Sequence, residues 1–146
     1  MNNIFETFTA LIAKIHKNIK KLKKMEVKEY NLKGIHVSIV YYLYLFNSLT
    51  AKELTIKCEE DKGSISKALN FLEKNDYVTC DAKFIKRYNS PFLLTKLGKE
   101  VGNKISNKIQ SILDKVKVKL SEEERIKFYN YLQEICLSLD GINNSY

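Results

Sequence analysis

The sequence predicts a mainly α-helical chain that carries one small β-hairpin. Apolar residues recur at spacings of three and four through most of its 146 residues. Two capping boxes, Thr50-Ala51-Lys52-Glu53 and Ser121-Glu122-Glu123-Glu124, mark helix starts. At one place, from Tyr77 onward, the period changes to that of strands.

The first helix spans Ile4 to Leu22, with Phe5, Phe8, Ile12, Ile15, Ile19 and Leu22 on one stripe and lysines on its polar side and end. Tyr30 to Gly34 reads as a connection. A second helix, about Ile35 to Asn47, is apolar nearly all round, which predicts burial from several sides. Thr50 then caps a short helix that carries Leu54 and reaches about Lys57. Cys58-Glu59-Glu60 is its turn, and Asp61 is the N-cap of a helix ending near Asn75.

Tyr77 to Cys80 and Phe92 to Leu94 read as two strands around a polar, basic tip. Pro91 places its strand at an edge, which a two-stranded hairpin supplies. Thr95 and Gly98 open a long helix with the stripe Val101, Ile105, Ile109, Ile112, Leu113, Val116 and Leu120. The Ser121 box starts a last helix, carrying Phe128, Tyr129, Leu132, Ile135, Cys136 and Leu139, which Gly141 is expected to stop.

A short helix, a tight turn, a second helix and a hairpin make a winged helix-turn-helix. On the second helix Ile65, Ala68, Leu69 and Leu72 share the face that packs inward. Gly63, Lys67, Asn70 and Lys74 lie opposite, with Ser64 and Ser66 on the flanks. That outer face offers small residues near the helix start and hydroxyl, amide and ammonium groups suited to phosphates and base edges. Between Lys62 and Lys99 eight basic residues face three acids, a local excess of +5 within a chain of net +8. Lys83, Lys86 and Arg87 cluster at the wing beside Tyr88 and Asn89, where an arginine can enter a minor groove.

The run Asp61-Lys62-Gly63-Ser64-Ile65-Ser66-Lys67, with Leu69, Leu72-Glu73-Lys74 and Tyr77-Val78, resembles the recognition-helix signature of the MarR family of bacterial regulators. Leu94-Thr95-Lys96-Leu97-Gly98 resembles the motif at the end of that family's wing, and Leu54 falls where the preceding helix's motif should. One departure stands out. Where the family usually carries an acid followed by two arginines, this chain has Lys86, Arg87 and Tyr88.

The resemblance implies a single MarR-like domain over 1–146, with a DNA-binding lobe at about 32–98 and dimerisation helices at 1–28 and 99–142. It also implies a homodimer on a pseudo-palindromic duplex, with repression as the outcome. The terminal stripes support the dimer independently, because they exceed what one small winged helix can cover. The DNA-contacting set is expected to be Lys62, Gly63, Ser64, Ser66, Lys67, Asn70 and Lys74 on the helix and Lys83, Lys86, Arg87, Tyr88 and Asn89 on the wing. Thr50 and Lys52 are expected on the DNA backbone. Family members often bind aromatic or anionic effectors in a crevice that the second helix should border, which nominates Tyr41, Tyr42, Tyr44 and His16.

Other classes find little support. Two histidines, with no HExxH, GxSxG or phosphate-cradling glycine loop, do not suggest an enzyme, a cofactor or a metal. Cys58, Cys80 and Cys136 form no CxxC and are expected to be reduced and buried. Met1 to Lys20 lacks the apolar run of a secretory leader, and Val37 to Phe46 is about half of what a membrane span needs. A cytoplasmic protein without a membrane partner is therefore expected. A winged helix that binds protein or RNA is the alternative that fold alone leaves open.

Overall fold

Helix starts along this chain are set by side chains that satisfy the amides a helix leaves unpaired. At Thr50 the hydroxyl accepts from the Glu53 amide at 3.2 Å, and the Glu53 carboxylate accepts from the Thr50 amide at 2.7 Å. These bonds hold the Glu53 carboxyl below its ordinary range. The expected boxes at Thr50 and Ser121 and the Asp61 cap are all present. The computed structural model describes residues 4–26, 30–81, 87–117 and 119–145.

The elements run α1 (Ile4–Glu26), α2 (Gly34–Phe46), β1 (Ser48–Thr50), α3 (Ala51–Cys58), α4 (Lys62–Lys74), β2 (Val78–Cys80), β3 (Pro91–Leu94), α5 (Lys96–Lys117) and α6 (Glu122–Asn143). The chain divides into two units, residues 1–106 and 107–146, and α5 runs across the division.

In the first unit α2 is the central post. His36, Val37, Ile39, Val40 and Leu43 are buried along it, and α1, α3, α4 and the sheet pack around it. Leu54 from α3, Ile65, Leu69 and Leu72 from α4, and Phe92 from β3 complete a core whose members are almost fully shielded from water. Burying each such side chain contributes about 1.5–3 kcal/mol. Gly102 lets α5 approach α2, since a β-carbon there would lie 2.9 Å from the Tyr44 ring. The Tyr44 hydroxyl donates to Asn103 at 3.0 Å from the same contact.

Three expectations are corrected. The sheet has three antiparallel strands in the order β1-β3-β2, so the strand that Pro91 opens is central and not an edge. Pro91 is tolerated because it is the first residue of that strand. Gly141 does not stop α6: the helix continues to Asn143, and Asn144 is its C-cap. Of the cysteines, Cys136 is exposed and Cys58 and Cys80 are half-buried, so none is a core residue.

The turns that shape the first unit use no glycine. Glu59 closes α3 in the left-handed region at φ 54°, and the Glu60 amide reaches back to the Thr55 carbonyl at 3.2 Å. Asp76 does the same after α4 at φ 60°, with the Tyr77 amide on the Leu72 carbonyl at 2.8 Å. Both are Schellman-type closures held by an acid in a conformation that costs about 1–2 kcal/mol for a residue with a β-carbon.

The second unit is the end of α5 with α6. No residue of α6 is buried in the single chain, and Phe128, Tyr129, Tyr131, Leu137 and Ile142 stand about half exposed or more. Its surface carries short-range ion pairs, Arg125 to Glu122 and Lys127 to Glu123.

Candidate nucleic-acid interface

The apolar face of α4 docks α4 onto the core, and that docking decides what its other face presents. Ile65, Ala68, Leu69 and Leu72 are buried, whereas Lys62, Gly63, Ser66, Lys67, Asn70 and Lys74 are exposed. Ser64 is half-buried. Its amide and hydroxyl both donate to the Asp61 carboxylate, at 2.8 and 2.6 Å. Those bonds hold the Asp61 carboxyl below its ordinary range. Ser64 thus belongs to the cap, and its proton is already committed. The remaining outward groups form a continuous cationic and amide face one helix long.

The base of the wing joins this face. Asp81 donates its amide to the Pro91 carbonyl at 3.1 Å, and a 3-10 turn spans Arg87–Asn89 before β3 begins. Lys83 and Lys86 lie outside the described residues, and for Arg87 only the backbone is described. Tyr88 is half-buried, with the Lys62 ammonium 4.4 Å above its ring, and Asn89 is exposed. At α3, Lys52 is exposed, while the Thr50 hydroxyl is engaged with Glu53, donating to its carboxylate at 3.0 Å.

The start of α2 touches α4 in a way the sequence does not show. His36 is buried and its ring stacks on Phe71 of α4, with centroids 4.4 Å apart and planes 7° apart. Its Nδ1 accepts the Lys33 amide at 3.0 Å, which requires that nitrogen to be unprotonated. Burial, then the nearby Lys33 charge, pushes the imidazole below its ordinary value of 6.5. The unfolded chain therefore binds this proton more readily than the folded one. The contribution is complete above pH 6.5 and is lost as pH falls through the lower, folded value. Thermal unfolding from pH 7.5 to 5 should show a falling midpoint in the wild type, and His36→Phe, which keeps the stack, should flatten that slope. An identical slope in both proteins would exclude this role.

The residues nominated for an effector do not form one site. His16 of α1 and Tyr42 of α2 line a single cleft of about 480 Å³ with Ser38, Lys57, Cys58 and Glu59. Tyr41, whose ring centroid lies 5.8 Å from that of Tyr42, and Tyr44 are half-buried and do not line that cleft, and Tyr44 is tied to Asn103. Within the cleft, burial, followed by the neighbouring Cys58, Glu59 and Tyr41, pushes the Tyr42 phenol up. Ser38, Cys58 and Glu59 were missed because they meet His16 only through the packing of α1 and α3 on α2.

A helix-turn-helix with an outward cationic second helix, closed by a small sheet and wing, defines a winged helix DNA-binding protein. The chain belongs to the winged helix DNA-binding domain family, whose model matches residues 35–113, and it has the fold of the MarR family regulators. A MarR family regulator of Neisseria meningitidis superposes with a TM-score of 0.80 at 17% identity, covering 98% of each chain. Staphylococcus aureus MarR, solved with salicylate and kanamycin, gives a TM-score of 0.80 at 18% identity, over 94% of this chain and 93% of that one. The S. aureus MepR–DNA complex gives a TM-score of 0.73 at 17% identity, over 90% of this chain and 97% of MepR. No curated protein sequence matches the chain. Among the described residues, no helix is long and apolar enough to cross a membrane.

Proposed function

We propose that the chain is a homodimeric transcriptional repressor that binds duplex DNA sequence-specifically and answers to a small aromatic or anionic effector. One observation carries this reading: the exposed face of α4, with Lys62, Ser66, Lys67, Asn70 and Lys74 opposite a fully buried face. Such a helix fits the major groove, where amide and ammonium groups read base edges and further lysines meet phosphates. Arg87 and Asn89 of the wing, with Lys83 and Lys86, supply the minor-groove side, and Lys52 supplies backbone contacts.

The dimer is supported by apolar surface that one chain leaves in water. Leu11, Ile12, Ile15 and Ile19 of α1 are 40–55% exposed, and α6 is exposed along its length. Residues 1–28 and 99–142 form the dimerisation part of this reading, and 32–98 the DNA-binding lobe. Duplex affinity should fall steeply with salt, as counterion release requires, while single-stranded RNA should compete poorly. Preferential binding of the RNA would replace this reading with the alternative one.

The effector reading now centres on the cleft that His16 and Tyr42 share. Its aromatic wall suits a planar ring, and Lys20, which lines the cleft with Glu59 and Glu60, is the cation that would meet a carboxylate, since the Lys57 ammonium lies 3.9 Å over the Phe46 ring. A phenolic carboxylate such as salicylate should raise the thermal midpoint of the wild type and weaken duplex binding, and Tyr42→Ala should remove both responses. Unchanged midpoint and affinity across millimolar ligand would exclude the effector.

A further inference from the structure

The contact between Lys62 and Tyr88 joins two parts of the proposed DNA surface that are otherwise separate in sequence. Lys62 is the first residue of α4, directly after the Asp61 cap. The Asp61 carboxylate accepts both donors of Ser64, one on each oxygen, and no carboxylate among the described residues pairs with the Lys62 ammonium. That ammonium instead sits 4.4 Å over the centroid of the Tyr88 ring, well inside the range at which a ring face attracts a cation.

The ring is carried by the half-buried partner of this pair. Tyr88 is the middle residue of a 3-10 turn that packs against α3, and it is followed by Ser90 and Phe92, which are 0% and 1% exposed. The lysine is the long, flexible partner, so holding it over the ring removes rotamer freedom before any partner arrives.

We propose that Tyr88 is a positioning residue: its ring holds the Lys62 ammonium at the start of the recognition helix, so that helix and wing base meet the duplex as one preset surface. This rests on the proposed DNA-binding function, because the held ammonium stands at a helix start, where a phosphate is favoured. It differs from a direct DNA contact by Tyr88 in needing the ring and not the hydroxyl. Tyr88→Phe therefore preserves the role and Tyr88→Leu removes it.

The contact is tested first without DNA, by carbon-proton correlation spectra of the labelled full-length protein. Ring current should shift the Lys62 ε-methylene protons upfield of the other lysines in wild type and Tyr88→Phe, and leave them unshifted in Tyr88→Leu. The second arm measures affinity for a mixed-sequence 30-base-pair duplex across a salt series. Tyr88→Leu should weaken binding by about fivefold to thirtyfold, the worth of a surface cation–π contact counted in both halves of the dimer, with Tyr88→Phe close to wild type. In the Lys62→Ala background the same Tyr88→Leu change should cost nothing further. Unshifted Lys62 protons in the wild type would overturn the proposal, as would equal losses in Tyr88→Phe and Tyr88→Leu, or full additivity with Lys62→Ala. If the wild type bound no duplex at all, the proposed function would fall, while the spectra would still decide the Lys62–Tyr88 contact.

Discussion

Gly98→Ala should destabilise the DNA-binding lobe by about 3 kcal/mol or more, the upper end of what overpacking a core costs. In an ordinary helix the same change stabilises by about 0.5–1 kcal/mol, because alanine has less backbone freedom to lose. Here the added carbon would lie 2.0 Å from the Tyr77 carbonyl oxygen and 3.1 Å from a Leu94 methyl. The oxygen cannot simply move aside. It accepts the Thr95 amide at 3.1 Å, while the Thr95 hydroxyl donates mainly to the adjacent Asp76 carbonyl at 2.5 Å and accepts the Gly98 amide at 3.0 Å, so both sides of the contact are pinned. Relieving the clash would pull the start of α5 away from the segment that leads into β2, and with it the base of the wing. Gly141→Ala is the internal control. It also lies within a helix but has nothing of its own chain within 4 Å of the added carbon, so it lacks the clash that Gly98 has and should not show this loss. Denaturant unfolding of the two variants beside the wild type measures both effects. A neutral Gly98→Ala would mean that α5 does not dock as described.

Lys67→Glu should abolish most duplex binding while leaving the fold intact. Lys67 is exposed at the middle of the outward face of α4, between buried Ile65 and Ala68. Losing one base or phosphate contact costs about 1–3 kcal/mol, and a two-fold symmetric complex counts that loss twice. The expected penalty is therefore about 2–6 kcal/mol per dimer, at least about thirtyfold in affinity, with reversed charge pressing it upward. The thermal midpoint and helical content should match the wild type. Wild-type affinity in this variant would remove α4 from the interface.

Most of the fold was legible because its signals are local. Thr50 with Glu53, Asp61 with Ser64, and Ser121 with Glu124 are bonds between residues three apart, so the sequence itself displays them. The buried face of α4 follows from the spacing of Ile65, Ala68, Leu69 and Leu72 in the same way. What escaped depends on partners far along the chain. Ser48–Thr50 is too short to show an alternation, and it becomes a strand only because Leu49 lies opposite Phe92. The amide that Pro91 lacks points to an edge strand, yet at the first position of a strand the missing amide costs little. Gly141 has the residue type of a helix stop, but a helix that continues on either side absorbs a glycine at about 1 kcal/mol.

The site divides along the same line. The outward face of α4 was legible as periodicity. The His36–Phe71 stack and the Lys62–Tyr88 contact join residues 35 and 26 positions apart, and nothing local announces them. Of three tyrosines nominated on α2, one faces the cleft, because residues at 41, 42 and 44 point in different directions around a helix.

In the proposed complex two copies of α4 lie in successive major grooves of one duplex. Selection of bound duplexes from a random pool, followed by footprinting of the recovered sites, tests it most directly. The expected result is an inverted repeat whose half-sites are centred about 34 Å apart, one helical turn, with protection on one face of the DNA. Recovery of isolated single half-sites, or of sequences without two-fold symmetry, would contradict it.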